Sequence, residues 1–236
     1  MADNRLVSPR ESCAAIIHGI MELLDLLLPP ACASCGRSGA ILCTGCLDRF
    51  PIASRPAERF LAPSAGVVVG ETLILALAAF AHDGAIRRAL AALKYTGASR
   101  LAPILARAST AALGDLLAIS GPASLVPVPV HRERRRARGY NQAELITREL
   151  GRSVQLPVVD ALDRTRPTTK QHRLDRLARL RNLRAAFSPH PSAVVPAIAI
   201  LVDDIVTTTA TLEACASVLR EAGCDAVYGF AIAREV

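Results

Sequence analysis

Short apolar runs alternate, in the carboxyl-terminal half of the chain, with segments whose apolar residues recur every three or four positions. The apolar runs, which predict β-strands, are 124–130, 157–162, 197–202 and 227–232. The periodic segments, which predict helices, are 139–150 and 212–222, and a glycine, the commonest helix terminator, follows each of them. Strands that alternate with helices are typical of a parallel sheet covered by helices. The pattern therefore predicts an α/β fold.

The amino-terminal half has a less regular pattern. Its predicted elements are strands over 66–69 and 72–80 and helices over 11–28, 85–95 and 101–119. Because alanine is frequent in segment 72–80, a helix is an alternative to the second strand. Residues 51–64 are rich in proline, arginine and serine, which favours a linker. The chain is thus predicted to have an amino-terminal module over 11–50 and a main domain over 65–236.

Composition narrows the class of protein. The chain has 236 residues, of which 51% are hydrophobic, enough to bury a sizeable core. Its longest apolar stretch free of charges, prolines and glycines is 72–81, far shorter than the roughly 20 residues that a bilayer requires. Residues 1–10 do not have the order of charged, apolar and small residues that marks a signal peptide. We therefore expect a cytoplasmic protein without a membrane span.

Positive charge is concentrated in two segments. Residues 131–138 contain five arginines and one glutamate, and 164–184 contain seven arginines and a lysine against one aspartate. Because the whole chain has a net charge of only +7, the remainder is net acidic. An anionic partner is expected at the two basic segments. Aromatic residues are only 3% of the chain, which weighs against extensive stacking on nucleic-acid bases. A phosphate-rich small molecule is therefore at least as good a candidate for the anionic partner as DNA.

Four of the seven cysteines form two C-x-x-C pairs, Cys32 with Cys35 and Cys43 with Cys46. Gly36, Gly39 and Gly45 supply tight turns between and within the pairs. Four thiolates at this spacing predict a closed, structural zinc site. Free cysteines are the alternative, and a redox-active dithiol is less favoured because one pair would suffice.

Residues 198–211 read IAILVDDIVTTTAT. A buried strand here would present Asp203 and Asp204 at its carboxyl end, where ligands of open α/β sheets collect. The threonine-rich loop and the following helix N-terminus could bind a phosphate, and the carboxylates could bind sugar hydroxyls or hydrated magnesium. The alternative is that Asp203 merely ends a strand and Thr211 merely caps a helix.

This stretch resembles the ribose-phosphate signature of type I phosphoribosyltransferases, an apolar strand followed by D-D-x-x-T-T-G-x-T. Further matches resemble the ComF family of competence-associated, phosphoribosyltransferase-like proteins. They are VPVPVH at 126–131, R-x-R-G-Y-N-Q-A at 136–143, L-K-Y-x-G at 93–97, the cysteine module, and R-x-T-x-x-Q-x-x-L-x4-R-x-x-N-x3-A-F at 166–187. The resemblance implies a type I phosphoribosyltransferase-like parallel sheet flanked by helices and preceded by a small zinc-binding module.

The resemblance also implies roles for residues. Asp203 and Asp204 would be the catalytic carboxylates, facing the ribose hydroxyls of phosphoribosyl pyrophosphate with magnesium nearby. The loop that wraps the 5-phosphate would consist of Thr207, Thr208, Thr209, Ala210 and Thr211. Candidates for the pyrophosphate loop and for a mobile cover over the site are Arg138, Arg166, Gln171, Arg179 and Asn182. The family has glycine at position 209, so a strained backbone or a more distant phosphate is expected there.

Two hypotheses of different classes follow. In the first, the chain binds phosphoribosyl pyrophosphate, or a similar ribose phosphate, with magnesium, and the phosphoribosyl group is transferred to an unidentified acceptor if the protein is an enzyme. In the second, implied by the family resemblance, it is a non-catalytic accessory protein of competence and DNA uptake. Its basic segments would then bind DNA or a partner ATPase.

Overall fold

The computed structural model describes residues 28–53, 67–68, 72–95, 98–166 and 183–235. The strands in these residues are β1 (Val67–Val68), β2 (Ala76–Ala81), β3 (Ser124–Pro127), β4 (Leu162–Arg164), β5 (Phe187–Pro189), β6 (Ile198–Val206) and β7 (Ala226–Arg234). Five of them form one sheet in the order β1–β2–β7–β6–β3. β1 is antiparallel to β2, and the other four strands of the sheet are parallel.

The helices pack on both faces of this sheet. Those in the described residues are α1 (Thr44–Leu47), α2 (Gly84–Tyr95), α3 (Leu101–Ser120), α4 (Arg132–Arg138), α5 (Gln142–Val154) and α6 (Ala210–Glu221). Helices α2, α3 and α5 share one hydrophobic cluster with Ile200 and Val202 of β6. Helix α6 and the β4–β5 hairpin share the other cluster with Ala199 and Leu201. The predicted α/β class, a parallel sheet flanked by helices, is confirmed.

Helix α3 is long and apolar enough, by length and composition alone, to cross a membrane. Its Leu105, Leu113 and Leu116 are nevertheless fully buried. They pack in the cluster that α3 shares with α2, α5 and the sheet. Core helices pass the same test of length and composition, and the packing places α3 among them.

Several predicted elements have different bounds in the structure, and two strands differ in ways that affect the site. β6 extends beyond residue 202 to Val206, because its pairing with β7 continues to that residue. The strand expected over 157–162 is wrong: Val158 makes one isolated bridge to Leu125, and the regular strand β4 begins only at Leu162. β4 pairs with β5 in a separate antiparallel hairpin rather than in the main sheet.

Helix α5 corrects the role given to Gly151. The helix continues through Gly151 to Val154 and is capped instead by Gln155, which adopts a left-handed conformation with φ +55°. A Cβ at Gly151 would lie 2.6 Å from Val158 Cγ2 and 3.0 Å from the Leu156 carbonyl oxygen. Glycine is therefore required at this position by close packing.

The cysteine-containing segment packs directly on the main domain. Cys32, Leu42, Cys46 and Phe50 are buried in the same cluster as helices α2 and α3. The chain then runs antiparallel to β2, where the Ala81 amide donates to the Pro51 carbonyl oxygen at 2.8 Å. The helix expected over 11–28 and most of the linker expected over 51–64 lie outside the described residues.

Candidate functional site

The two candidate catalytic carboxylates are consecutive residues of strand β6. The strand remains paired with β7 on both sides of them, with Asp203 opposite Ala231 and Ile205 opposite Ala233. Side chains alternate between the faces of a paired strand. Ile200 and Val202 accordingly pack with α2, α3 and α5, but beyond them the order reverses, since Ile205 packs in that same cluster and Val206 in the other. Between these residues, a side-chain hydrogen bond joins the Asp203 and Asp204 carboxyls.

Asp204 forms an ion pair with Lys94 at the end of helix α2. The Lys94 Nζ atom lies 2.9 Å from Asp204 Oδ2. The exposed fractions of the two side chains are only 21% and 10%. A carboxylate this buried needs a charged or hydrogen-bonding partner to stay ionised. Lys94 supplies that partner.

Asp203 lies in a different environment. Burial, together with the charge of Asp204, raises the pKa of the Asp203 carboxyl to about 8. The backbone amide of Asp204 donates a hydrogen bond of 2.8 Å to Asp203 Oδ1. Burial lowers the pKa of Arg164 on β4, and the negative charge of Asp203 partly offsets that effect. The positive charge of Lys94 also acts on Asp203 and partly offsets the rise of its pKa.

The threonine loop connects the end of β6 to helix α6. Thr207 and Thr208 are exposed, and Thr209, Ala210 and Thr211 are half-buried. Helix α6 begins at Ala210 and is 12 residues long, so its first amides have no intrahelical acceptors. Hydroxyl and amide donors are thereby gathered at the positive end of a helix dipole, an arrangement suited to a phosphate.

Thr209 does not have the strained backbone that its replacement of glycine led us to expect. Its φ is −69° and its ψ is −3°, an ordinary right-handed conformation. Its carbonyl oxygen accepts from the Glu213 amide at 2.8 Å, which closes the first turn of α6. The loop therefore accommodates threonine without a left-handed residue, and glycine would relieve no strain here.

The segment after β3, which was expected to be a loop near the pyrophosphate, forms a short basic helix. His131 precedes α4, and none of the seven residues of α4 is buried. Asn141 caps α5 by accepting from the Ala143 amide, and its Nδ2 atom donates to the Val128 carbonyl oxygen at 3.0 Å. Asn141 thus fixes the segment to the carboxyl end of β3.

Arg138, a candidate ligand for pyrophosphate, contacts the end of helix α2. Its guanidinium carbon lies 5.4 Å from the centre of the Tyr95 ring, and its Nη1 atom donates to Gln142 Oε1 at 2.9 Å. The Tyr140 hydroxyl donates to the Leu93 carbonyl oxygen at 2.7 Å. The R-G-Y-N-Q and L-K-Y motifs are therefore in direct contact.

A cleft of 580 Å³ lies between the segment after β3, helix α5 and the β4–β5 hairpin. Its charged lining includes Arg132, Arg135, Arg148, Arg164, Glu144, Asp160 and Asp163. Glu144 pairs with Arg135 at 3.2 Å and with Arg148 at 3.1 Å. Neither Asp203 nor Asp204 lines this cleft. The structure therefore does not join the cleft and the carboxylates into one pocket.

The candidate cover residues are only partly within the structure. Arg166 is exposed at the end of a described segment. Gln171, Arg179 and Asn182 lie outside the described residues. The prediction of a cover over the site is not tested by the structure.

Magnesium requires several oxygen ligands around one point. The Asp203 and Asp204 carboxyls are joined by a side-chain hydrogen bond, Asp204 also pairs with Lys94, and burial favours the protonated form of Asp203. Magnesium at this pair of carboxyls stays a prediction.

The four clustered cysteines do fit a zinc ion. The Sγ atoms of Cys32, Cys35, Cys43 and Cys46 all lie within 4.8 Å of one another. Cys35 Sγ and Cys43 Sγ are 3.7 Å apart, close to the edge of about 3.8 Å of a tetrahedron with Zn–S bonds of about 2.3 Å. The fold thus assembles four thiols at the size of a tetrahedral zinc site.

Backbone amides favour a thiolate at Cys32, whereas, despite a hydrogen bond with Ser34, burial and the neighbouring thiols raise the pKa of Cys46 to about 11. The Cys43 amide donates to Cys32 Sγ at 3.4 Å. Although burial opposes ionisation, amides of Cys43, Cys35 and Ser34 lower the pKa of Cys32 to about 6. Zinc bound here would be structural, because four thiolates leave no open coordination position.

Two residues near the carboxylates were not assigned a role from sequence. Lys94 occurs in the L-K-Y motif, but only the structure shows that it reaches Asp204. Arg164 precedes the predicted cover and faces Asp203 from β4. Their position beside the carboxylates depends on how elements that are distant in sequence pack together, and the spacing of the motifs does not specify that packing.

Comparisons with known proteins found relatives in competence and DNA use. The chain is 34% identical over 120 residues to competence protein F of Haemophilus influenzae, covering 48% of this chain and 51% of the relative. It is 35% identical over 114 residues to the DNA utilization protein YhgH of Escherichia coli K12, covering 48% of this chain and 50% of the relative. The match to YhgH of Salmonella typhi is 31% over 146 residues, covering 60% and 64%.

The matched region spans about half the length of the first of these curated relatives. No protein-family model matches the chain. The two kinds of relative agree with the motif resemblance and with the four-cysteine cluster.

Proposed function

We propose, from the premise that the chain belongs to the ComF family, that it binds a ribose phosphate of the phosphoribosyl pyrophosphate type in a competence-related role. The observation that carries the proposal is the loop of Thr207–Thr211, placed between the carboxylates of β6 and the N-terminus of α6. A phosphate would accept hydrogen bonds from the amides and hydroxyls of this loop. The carboxylate of Asp204 would accept hydrogen bonds from ribose hydroxyls.

Transfer of the phosphoribosyl group would add one chemical step. The bond between the anomeric carbon and the pyrophosphate oxygen breaks, and the acceptor forms the new bond to that carbon. Positive charge develops on the sugar and negative charge on the leaving group. The carboxylate of Asp204 is suited to the first charge and arginines of the basic segments to the second. The acceptor is the open part of this proposal.

Binding is tested by calorimetry and by thermal unfolding with phosphoribosyl pyrophosphate. Ligand at 100 times its dissociation constant should stabilise the wild-type fold by about 2.7 kcal/mol. Asp204→Asn and Thr211→Val should each weaken binding about tenfold or more, because each removes a contact to the ligand. Asp225→Asn is the matched control. Asp225 is exposed and immediately precedes β7, so it lies at the amino ends of the parallel strands, opposite the carboxyl ends that hold the candidate site. A wild-type chain that is not stabilised by the ligand would refute the proposal.

A second candidate function is DNA binding as a non-catalytic accessory protein. It is favoured by helix α4, whose Arg132, Arg134, Arg135 and Arg136 are all exposed. It also agrees with the names of the relatives, competence protein F and DNA utilization protein. Its test is DNA affinity measured over a range of salt concentrations, which should fall steeply if the arginines neutralise phosphates. Affinity that does not change with salt would exclude this mode of binding.

A further inference from the structure

One aromatic side chain is exposed at the end of helix α2. Tyr95 is the last residue of α2 and is 76% exposed. Every other aromatic residue in the described part of the chain is buried or half-buried. An isolated exposed ring is ordinary on a protein surface. The contacts around Tyr95 are what indicate a binding surface.

The ring of Tyr95 is held in place by its neighbours. The Leu93 carbonyl oxygen accepts a hydrogen bond of 2.7 Å from the Tyr140 hydroxyl, which fastens the last turn of α2 to the segment after β3. The Arg138 guanidinium carbon lies 5.4 Å from the centre of the Tyr95 ring, and Arg138 Nη1 donates to Gln142 Oε1 at 2.9 Å. Arg138 therefore covers one face of the ring, and the exposure of Tyr95 leaves the opposite face accessible to another planar group. A ring placed in advance loses little conformational entropy when it binds.

Exposed arginines lie beside this ring. Arg138 is also the last residue of α4, whose Arg132, Arg134 and Arg136 are exposed. A helix of seven residues is about 10 Å long, at about 1.5 Å per residue. The three side chains are therefore close enough to reach phosphates next to a base that stacks on Tyr95. An aromatic ring beside arginines is the arrangement with which proteins bind single-stranded nucleic acid.

We propose that Tyr95 is the base-stacking residue of a surface that binds single-stranded DNA. One unpaired base would stack on the exposed face of the ring, and the phosphates beside it would contact the exposed arginines of α4. A duplex does not fit the ring, because both faces of its bases are already stacked on neighbouring base pairs. The inference rests on the second candidate function and makes it more specific, since arginines alone do not distinguish one strand from two.

The first test measures affinity by fluorescence anisotropy for DNA of about 12 nucleotides, within the usual range of single-strand sites. The wild-type chain should bind oligothymidylate about tenfold more tightly than an abasic strand with the same phosphates. Tyr95→Ala should abolish this difference, and Tyr95→Phe, which retains the ring, should preserve it. Because stacking releases no counterions, Tyr95→Ala should leave the dependence of affinity on salt unchanged. Its affinity for a duplex of the same length should equal that of the wild-type chain.

Val194→Ala is the control, because Val194 is 85% exposed and precedes β6, at the amino ends of the parallel strands. It should leave all three affinities unchanged. Oligothymidylate binding that is equal in wild type and Tyr95→Ala would overturn the inference, as would an equal loss of duplex binding. So would thymidine monophosphate that competes as strongly as the strand, because the site would then hold a single nucleotide. A wild-type chain that binds neither strand nor duplex would refute the second candidate function as well.

The second test requires no variant. A 5-iodouracil base in the oligothymidylate forms a covalent crosslink under ultraviolet light with an aromatic side chain that it contacts. After digestion with trypsin, mass spectrometry should find the crosslink in peptide 95–100, in which Tyr95 is the only aromatic residue. A crosslink confined to peptide 139–148, which contains Tyr140, or to any other peptide would contradict the inference. The absence of any crosslink from a strand that binds would contradict it too.

Discussion

Asp203 and Asp204 are adjacent in the chain, yet they meet different chemical surroundings. Asp204 forms an ion pair with Lys94, whereas burial and the charge of Asp204 raise the pKa of Asp203. The sequence correctly indicates that both residues lie toward the carboxyl end of a buried strand. It does not reveal that the strand continues to Val206, because only the pairing with β7 sets that bound. Nor does it reveal the side-chain hydrogen bond between the two carboxyls, which depends on the local geometry of the strand end.

The raised pKa of Asp203 predicts a pH-dependent stability. The folded chain retains a proton up to about pH 8 that the unfolded chain, with a pKa of 3.8, has lost. The contribution of this carboxyl is fully present below about pH 4 and is lost as pH rises toward 8. Relative to wild type, Asp203→Asn should therefore gain about 1 kcal/mol or more in the free energy of unfolding between pH 5 and pH 9.

Urea unfolding at pH 5, 7 and 9 measures this difference. Asp225→Asn, which removes a carboxylate from an exposed position, is the control. Parallel curves for wild type and Asp203→Asn would show that the carboxyl is ionised throughout this range.

Gly151 and Gly114 form a matched pair of helical glycines. A Cβ at Gly151 would meet Val158 at 2.6 Å, whereas a Cβ at Gly114 would have no atom within 4 Å. Gly151→Ala should lower the free energy of unfolding by about 1–3 kcal/mol through overpacking. Gly114→Ala should raise it by up to about 1 kcal/mol through helix propensity. Chemical denaturation of both variants checks the prediction, which fails if the two changes have the same sign.

At the scale of elements, prediction from sequence succeeds where burial imposes a period. The elements located from sequence are those that bury an apolar run or stripe in one of the two clusters, namely β6, β7, α2, α3 and α6. Helix α4 was missed because it buries none of its residues and therefore has no hydrophobic pattern. Segment 157–162 was predicted as a strand because it is apolar. In the structure it makes only one isolated bridge, from Val158 to Leu125 of β3.

The exposed arginines of α4 predict how DNA affinity depends on salt. Replacing Arg132, Arg134 and Arg136 by Ala should reduce the slope of log affinity against log salt by up to about 3, since each lost phosphate contact accounts for about 0.9. We leave Arg135 unchanged because it pairs with Glu144. The control replaces three exposed arginines elsewhere, Arg37, Arg87 and Arg107, so that the total charge falls equally. Equal slopes for the two triple variants would place DNA contacts outside α4.

At the scale of the whole molecule, the cysteine segment and the sheet share one core. Cys32, Leu42 and Cys46 pack in the cluster of helices α2 and α3. Arg88 of α2 also donates to the Ser34 carbonyl oxygen at 2.7 Å. The motifs identified the cysteine ligands correctly as a cluster, but they contained no information on its contact with α2. A metal bound by the cysteines would therefore stabilise the main domain through these contacts.

Zinc removal should therefore destabilise more than the cysteine segment. We expect about one zinc per chain by elemental analysis, and after chelation a single unfolding transition at lower temperature by calorimetry. Cys35→Ser should have the same effect, whereas Cys224→Ser, far from the cluster in sequence, should keep the zinc. Protein purified under reducing conditions without zinc would contradict the prediction. So would an unchanged main transition after chelation.

Short irregular segments pair with the part of β2 that lies beyond its two pairs with β1, and with β3, the last strand of the sheet. Residues 51–53 bond to the outer side of β2, and residues 157–159 bond to the outer side of β3, where the Val159 amide donates to the Leu125 carbonyl oxygen at 2.9 Å. Uncovered strand edges are templates for pairing with another chain. Because residues 51–53 directly follow the cysteine segment, loss of its metal would expose the edge of β2. Zinc supply would then determine whether the protein stays dispersed or aggregates.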